Sequence, residues 1–365
     1  MYKRQGYIFS GWNTEPDGTG SFYDVGVSID IDTPLYAQWT KPAPPITPNT
    51  LTYNGSEQPL VTKKTGETRT VEYIVGGTEP TADSSAWSST IPKETNAGTY
   101  TVWYKATPAD GGEPTIGAVT VTINKADVTI TWDSTTHLTK NWIYDGQAHA
   151  LCSGISANGG TVYYAVSGAG TTENAVMDPN KWATTVPTAK DVGYYKVWYK
   201  VVGDENHNNI GITNIKDSND TTRTTVIVAK ADSSVETAPK AVPNLKYTGG
   251  DLTLVSEGTA DGGTMQYKIG ENGTWIDTLP TTKNAGKYTV YYRVKGDDNH
   301  NDTDGSTSVE AEIKQATPTV TVEKNDNLTY NGKDQQLVTT SGVPEGCTVP
   351  VSYTHLRQHN LFLLR

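Results

Sequence analysis

The 365-residue chain has a formal net charge of −11, and apolar residues make up 35 % of it. Tyr (21) and Trp (9) far outnumber Phe (3), and only two Cys are present. No apolar run approaches the roughly 18 residues of a membrane-spanning helix, and two Cys cannot staple a disulfide scaffold. Because Thr, Val and Tyr suit a pleated, half-exposed surface, the composition predicts an all-β protein rather than a helical bundle.

The acidic charge is spread along the chain, and no cluster of four or more Lys and Arg occurs. A nucleic-acid duplex or an anionic membrane surface would therefore be repelled on average. We expect no nucleic-acid partner and no membrane insertion within this segment.

The N-terminal residues differ from the rest of the chain. Residues 6–12 read Gly-Tyr-Ile-Phe-Ser-Gly-Trp, a Gly-Thr-Gly turn follows at 18–20, and residues 35–39 read Leu-Tyr-Ala-Gln-Trp. This set of motifs resembles the C-terminal half of a Listeria–Bacteroides repeat, the internalin B-type repeat of bacterial surface proteins. The resemblance implies a partial β-grasp-like sheet whose core residues are Phe9, Trp12, Tyr36 and Trp39.

One motif occurs four times along the remaining chain. It places a Tyr before a turn that contains Gly, at Tyr53, Tyr144, Tyr247 and Tyr330. An apolar pair follows each copy: Leu60-Val61, Leu151-Cys152, Leu254-Val255 and Leu337-Val338. In the first three copies a strand-like segment, a lone Trp and a Pro come next, and an alternating strand closes the unit. About six or seven short strands with turn signals between them predict a β-sandwich or barrel.

Each complete copy also contains an Asn/Asp-x-Gly-x-Tyr step that leads into its penultimate strand. Its glycines are Gly98, Gly193 and Gly286, and its tyrosines are Tyr100, Tyr195 and Tyr288. The step resembles the tyrosine corner of immunoglobulin-like domains, in which the phenol hydroxyl bonds back to the backbone. The order of motifs resembles bacterial Ig-like repeats of cell-surface proteins. It implies tandem Ig-like β-sandwiches, like beads on a string, without the antibody disulfide.

These motifs divide the chain into successive segments. They are a partial Listeria–Bacteroides repeat at 1–41, a Pro-rich linker at 42–48, Ig-like repeats at 49–127, 128–232 and 233–316, a truncated fourth repeat at 317–350, and a tail at 351–365. The tail switches abruptly to His, Leu and Arg, and it resembles translated adapter sequence. We expect it to be non-native, and a short natural helix at 355–365 is the alternative.

We find no nucleophile elbow, phosphate loop, or metal-type Cys and His pairing, so we expect no enzyme activity and no cofactor. Cys152 and Cys347 lie in different repeats, and we expect each to be a small core residue without a bridge. Lys125, Lys230 and Lys314 close the repeats, and we expect solvated hinge charges there rather than cross-links.

One polar loop recurs eight residues after the corner tyrosine. Residues 203–208 read Gly-Asp-Glu-Asn-His-Asn and residues 296–301 read Gly-Asp-Asp-Asn-His-Asn. We favour local turn chemistry, because Asp and Asn bond their own backbone. A Ca²⁺ site and ligand contact through Asp204, His207, Asp297 and His300 are the alternatives. Similarly, Trp87, Trp182 and Trp275 are expected to plug the core or a loop, and a sugar-stacking platform is the alternative.

The two resemblances imply a non-catalytic stalk or adhesin segment of a bacterial surface protein, placed outside the cell at the surface or envelope. Its partner would be an extracellular ligand: a host or bacterial surface protein, or a glycan. The alternative is an accessory region of a large secreted polysaccharide-degrading enzyme, in which Ig-like units connect catalytic and sugar-binding modules.

Overall fold

A computed structural model describes residues 4, 7–26, 28, 32, 34–329, 331–343 and 347–350. The regular secondary structure of the described residues is almost entirely β, and the chain divides into two compact units. One unit contains Met1–Trp142 and Gly146–Val228, and the other contains Ile143–Asp145 and Ala229–Arg365. The protein is an all-β chain of tandem Ig-like β-sandwich repeats, preceded by a small separate sheet.

The N-terminal sheet has three antiparallel strands in the order β2-β1-β3. They are β1 (Ile8–Asn13), β2 (Phe22–Tyr23) and β3 (Tyr36–Thr40). The Phe9 ring packs edge-on against Trp12 and Trp39, at centroid distances of 5.2 and 5.3 Å. However, Trp12 is 38 % exposed and Tyr36 is 41 % exposed, so the expected core is only half formed. The described residues of this segment form a single layer, and a sheet needs a second layer to bury its apolar face.

The first repeat is built from eight strands. They are β4 (Ile46–Pro48), β5 (Leu51–Thr52), β6 (Gln58–Pro59), β7 (Val61–Lys63), β8 (Thr70–Val75), β9 (Lys93–Glu94), β10 (Gly98–Thr107) and β11 (Thr115–Asn124). One sheet has the order β5-β11-β10-β8, in which β5 runs parallel to β11 and the other pairs are antiparallel. The pairs β4-β7 and β6-β9 lie apart from it. Three long antiparallel strands with a tyrosine corner before the central one form the C-F-G arrangement of an Ig sandwich.

The core of this repeat lies between those two layers. Val102 and Val121 from the long sheet pack with Leu60 and Val61, and each is at most 1 % exposed. Ile46 joins the same core at 1 % exposure and pairs with Lys63, although the sequence analysis assigned residue 46 to the linker. The repeat therefore begins before residue 49, because its first strand buries an isoleucine that follows directly on Pro44-Pro45.

The second repeat contains ten strands and two short 3₁₀ turns, at Glu173–Val176 and Pro179–Lys181. The first nine strands are β12 (Thr129–Trp132), β13 (Trp142–Ile143), β14 (His149–Ala150), β15 (Ile155–Asn158), β16 (Gly160–Gly168), β17 (Thr188–Ala189), β18 (Gly193–Gly203), β19 (Ile210–Asn214) and β20 (Val226–Ala229). Strand β18 is central, with β16 on one side and β19 and β20 on the other. Cys152 is buried, and its burial raises the pKa of its thiol to about 12.

The third repeat, in the second unit, repeats this pattern. Strand β21 (Ala231–Asp232) ends the second repeat. The strands of the third are β22 (Ser234–Thr237), β23 (Leu252–Thr253), β24 (Thr259–Asp261), β25 (Gly263–Ile269), β26 (Thr281–Thr282), β27 (Gly286–Gly296), β28 (His300–Asn301) and β29 (Ser308–Ile313), and β28 pairs in parallel with β21. The long sheet has the order β25-β27-β29. Leu254, Val255 and Val290 are fully buried in its core.

The Pro that follows each lone Trp has one shared role. Its carbonyl accepts a hydrogen bond from the amide of the Leu in the apolar pair, at 2.9 Å for Leu60, 2.9 Å for Leu151 and 3.1 Å for Leu254. This bond ties the segment after the Trp to the buried Leu, so the spacing of the motif reflects one packing solution used three times.

The described part of residues 317–350 forms only one hairpin, β30 (Thr321–Lys324) with β31 (Val338–Ser341). Leu337 is 48 % exposed, whereas the equivalent leucines of the complete repeats are buried. In those repeats long strands cover the leucine, and the described residues of this segment form only the hairpin. Cys347 is exposed, so the expectation of a core residue is wrong at that position. Tyr330 and the tail at 351–365 lie outside the described residues.

The corner tyrosines share one geometry. The hydroxyls of Tyr100, Tyr195 and Tyr288 donate to the backbone carbonyl four residues earlier, at 2.8, 2.7 and 2.7 Å. Two residues further on, Val102, Val197 and Val290 are fully buried. The bond therefore fixes the turn from which the central strand of each core begins.

Two adjacent tyrosines allow a matched test of this bond. Tyr195→Phe removes one hydroxyl that is bonded to the Asp191 carbonyl, and we expect it to lower the free energy of unfolding of the second repeat by about 1 kcal/mol. Native-state hydrogen exchange of the β18 amides measures this change. The control is Tyr194→Phe, whose side chain is 60 % exposed. Equal effects of the two substitutions would contradict the corner's stabilising role.

Candidate functional site

The two recurring polar loops, residues 203–208 and 296–301, are called the histidine loops below. In the first, the Asp204 carboxylate accepts a hydrogen bond from the Asn206 amide at 2.8 Å and contacts Nδ1 of His207 at 2.7 Å. In the second, Asp297 makes the same contacts with the Asn299 amide at 2.8 Å and His300 at 2.7 Å. Each loop is therefore closed by one carboxylate that orients a histidine ring.

A glycine packs directly against one face of each histidine ring. Gly159 has φ +91° and Gly262 has φ +76°, a region that favours glycine. A Cβ on Gly159 would lie 2.3 Å from the His207 ring, and one on Gly262 would lie 2.6 Å from the His300 ring. The carbonyls of the same glycines accept the amides of Asp204 and Asp297. The glycines are thus required by the close approach of the histidines.

The first histidine loop contacts the preceding repeat, within one compact unit. The surface it meets, called the tyrosine face below, consists of Tyr53 and residues 125–127. The His207 ring packs edge-on against Tyr53, with centroids 5.2 Å apart and an interplanar angle of 78°. The Ala126 amide donates to the Asn206 carbonyl at 2.9 Å, and the Asn208 amide donates to the Ala126 carbonyl at 2.8 Å. Ala126 and His207 therefore form a parallel β-bridge.

Side chains surround this bridge with further polar contacts. The Lys125 ammonium donates to the Asp204 carbonyl at 3.1 Å, and Asn208 Nδ2 donates to the Asp127 carboxylate at 2.9 Å. Asn206 Oδ1 accepts the Ala97 amide at 2.7 Å. The contact combines one aromatic pair with several directional hydrogen bonds, so it holds one geometry rather than sliding.

The same contact occurs a second time, within the second compact unit. The His300 ring packs edge-on against Tyr144, with centroids 5.2 Å apart and an angle of 84°. The Ala231 amide donates to the Asn299 carbonyl at 3.0 Å. The Lys230 ammonium donates to the carbonyls of Asp297 and His300, at 2.9 and 3.0 Å.

A comparable polar bond completes the second copy. Asn301 Nδ2 donates to the Asp232 carboxylate at 3.0 Å, as Asn208 does to Asp127 in the first copy. The tyrosine face of this copy consists of Tyr144 and residues 230–232.

The residues of these loops have a second role that no local sequence pattern predicts. The loops are turns with internal Asp and Asn bonds, and they also make the contact to the tyrosine face. Lys125 and Lys230 are bonded to loop carbonyls rather than simply solvated. Among the described residues no group of three or more His, Cys, Asp and Glu could hold a metal ion.

Lys314 does not belong with the other two lysines. Ile123, Val228 and Ile313 pair with the corner glycines Gly98, Gly193 and Gly286, so Lys314 is equivalent to Asn124 and Ala229. The position equivalent to Lys125 and Lys230 is Gln315. Sequence spacing alone misplaced this residue by one position.

The first repeat has a different loop at the equivalent place, Pro-Ala-Asp-Gly-Gly at residues 108–112. It also lacks the glycine pair at which β16 and β25 begin, Gly159-Gly160 and Gly262-Gly263. Thr68-Arg69 stands there, and Arg69 forms an ion pair with Glu67 at 2.5 Å. The glycine pair and the histidine loop occur together in two repeats and are both missing from the first. This joint occurrence is the sequence signal that could have indicated their contact.

The three lone tryptophans are half-buried, and each has a cation over its ring. Lys105, Lys200 and Arg293, each five residues after the corner tyrosine, lie 5.3, 4.4 and 4.6 Å from the ring centroids of Trp87, Trp182 and Trp275. The indole nitrogens of Trp87 and Trp182 donate to the carbonyls of Thr81 and Val176. The Trp87 and Trp182 rings therefore connect a loop, through the indole hydrogen bond, to the long sheet that carries the cation. In all three repeats the cation covers one face of the tryptophan ring.

No family model matches the chain. A curated relative from Evansella cellulosilytica, described as a Gly-rich membrane protein, is 51 % identical over 39 residues. That match covers 10 % of this chain and 4 % of the relative, so the chain spans only a small part of the relative's length. Among the described residues, no helix has both the length and the apolar character needed to cross a membrane.

Solved structures similar to this chain include segments with several Ig domains, fibronectin(III)-like modules or S-layer domains. The four N-terminal Ig domains of Dscam1 isoform 4.44 share 12 % identity at a TM-score of 0.24, over 74 % of this chain and 72 % of that one. The fibronectin(III)-like modules of Clostridium thermocellum CbhA share 17 % identity at a TM-score of 0.19, over 51 % and 95 %. Domains 7, 8 and 9 of the S-layer protein SbsC share 14 % identity at a TM-score of 0.14, over 67 % and 79 %. At these scores the strand order of the repeats themselves carries the fold assignment.

Each contact between a histidine loop and a tyrosine face is called a joint below. Each joint can be tested through the backbone amide of its bridging alanine, Ala126 or Ala231. His207→Ala removes the imidazole ring that packs against Tyr53 and bonds to Asp204. We therefore expect about tenfold faster hydrogen exchange at the Ala126 amide, equivalent to about 1.4 kcal/mol. The matched variant His300→Ala should act on Ala231 instead. Faster exchange at both alanines in either variant, or at neither, would contradict two separate joints.

The carboxylates of the two joints, Asp204 and Asp297, should make the stability of the joints depend on acid pH. The hydrogen bond from His207 is the main cause that lowers the pKa of Asp204 below its ordinary value, and His300 lowers the pKa of Asp297 in the same way. Because these pKa values are depressed, the stabilisation is present above the unfolded pKa of about 3.9 and is lost as pH falls through the folded value. Carboxyl ¹³C titration by NMR measures this, and the Asp204 midpoint should rise in His207→Ala. An unchanged midpoint would contradict the assignment.

Proposed function

We propose that this chain is a non-catalytic, extracellular stalk segment of a bacterial surface protein, which spaces and presents a binding tip. The observation that carries the proposal is the joint that occurs twice. A protein that only needed several independent sandwiches would not require the same aromatic pair, alanine bridge and lysine contact at two successive hinges.

The chemistry of the described surface supports the same proposal. Each lone tryptophan has a cation over its ring, so one face of each of these three rings is covered and cannot stack on a sugar. The polar groups of the histidine loops are used in the joints. The N-terminal motifs that resemble a Listeria–Bacteroides repeat support a surface protein, and the proposed partner is an extracellular ligand: a host or bacterial surface protein, or a glycan.

The gene that surrounds this coding region provides the test of this proposal. A long read of the native gene through both ends should find a sorting signal or wall-binding repeats in the same frame, without a catalytic domain. A hydrolase domain in the same frame would contradict the proposal and would make these repeats spacers of a secreted enzyme.

A binding measurement gives an independent check. We expect the tryptophan fluorescence of the full chain to stay unchanged across a broad set of soluble glycans. Quenching that disappears in Trp182→Phe, while Trp142→Phe leaves it intact, would instead indicate a sugar-contacting module.

A further inference from the structure

We propose that the end of the third repeat carries a third tyrosine face, which binds the histidine loop of an Ig-like repeat that directly follows Thr317. This face consists of Tyr247 and residues 315–317. The inference rests on the two joints described above and not on the proposed extracellular function.

The third face is built on the same backbone scaffold as the first two. The Tyr247 amide donates to the Lys314 carbonyl at 2.9 Å, as the amides of Tyr53 and Tyr144 donate to Asn124 and Ala229, both at 2.8 Å. Lys246 and Lys314 form the parallel bridge that holds this tyrosine beside the closing strand. Ala316 therefore stands at the position of the bridging residues Ala126 and Ala231.

The third face is uncovered among the described residues. Tyr247 is 38 % exposed, whereas Tyr53 and Tyr144 are half-buried under a histidine ring. Ala316 is exposed, whereas Ala126 and Ala231 are half-buried. No described residue accepts a hydrogen bond from the Ala316 amide, although the equivalent amides of Ala126 and Ala231 bond to Asn206 and Asn299.

The side chains at this face fit the same kind of loop. Gln315 stands where Lys125 and Lys230 donate to loop carbonyls, and its amide group is also a donor. Thr317 stands where Asp127 and Asp232 accept from a loop asparagine, and its hydroxyl is also an acceptor. The face therefore offers an aromatic ring, a free backbone amide, one donor and one acceptor to the loop.

The other loops of this chain do not fit as occupants. The histidine loops at 203–208 and 296–301 already lie on Tyr53 and Tyr144. The first repeat carries Pro-Ala-Asp-Gly-Gly instead, without a histidine. In both existing joints the loop comes from the repeat that follows the bridging alanine directly, which identifies the occupant as a following repeat of the same kind.

An insertion into the full chain tests this. A second copy of residues 233–317 is placed between Thr317 and Pro318, so that a repeat with its own histidine loop directly follows the first Thr317. Hydrogen exchange with mass spectrometry then follows the peptide that spans the new junction after the first Thr317. This peptide contains the first Ala316, and its sequence occurs once in the protein. We expect exchange at Ala316 to slow at least tenfold relative to the unmodified chain, toward the rates of Ala126 and Ala231.

Two variants of the insertion serve as controls. In one, the loop of the inserted copy is replaced by Pro-Ala-Asp-Gly-Gly of the first repeat, and the protection of Ala316 should be lost. In the other, Tyr247→Ala removes the ring from the third face, and the protection should fall about tenfold while the strands of the inserted copy remain protected.

A second insertion keeps the test decisive if the first does not fold. Residues 128–232, placed at the same position, bring the loop at 203–208 and should protect Ala316 in the same way. Unprotected Ala316 beside a folded insert of either kind would overturn the proposal, as would protection that survives replacement of the loop.

Discussion

The pairing of one alanine with a histidine loop is the contact on which the joints between repeats depend. The bridge at Ala126 is a backbone contact, so it sets distance and direction without relying on an apolar interface. The edge-on packing of His207 against Tyr53 adds about 0.5–1.5 kcal/mol beyond area burial, and it fixes the rotation of the loop. The glycine under the ring and the carboxylate beside it make that histidine orientation the one the loop can adopt.

Different residues stabilise each repeat and connect one repeat to the next. Each complete repeat has its own core, in which a buried valine two residues after the corner tyrosine stands where an antibody domain has a cysteine. The joints use polar, partly solvated groups, so they depend on protonation and geometry more than on hydrophobic area. A segment of this kind can be extended by repeats, because each new joint requires only one loop and one tyrosine face.

Much of the fold could be predicted from the sequence, because local chemistry determined it. The Gly-x-Tyr step, the buried Leu-Val pairs and the alternating strands are short-range signals, and the strands form where these signals occur. Ile46 was assigned to the linker because prolines precede it, while its burial depends on residues of later strands. The joints were missed for the same reason: Tyr53 and His207 are 154 positions apart in the sequence, and no local pattern connects them. A comparison of the repeats could have indicated the contact between glycine and histidine, because Gly159 and Gly262 occur only in the two repeats that contain a histidine loop.

The most direct test of this account is the distance distribution across the first joint. Spin labels at Thr120 and Thr161, on exposed strand positions of the first and second repeats, with Cys347→Ser to remove the exposed thiol, can be measured by pulsed electron paramagnetic resonance. If the joint holds one geometry, the distribution will be single and narrow, and it will broaden when residues 203–208 are replaced by Pro-Ala-Asp-Gly-Gly. A broad distribution in the original sequence, or a width that does not change with the loop, would contradict it.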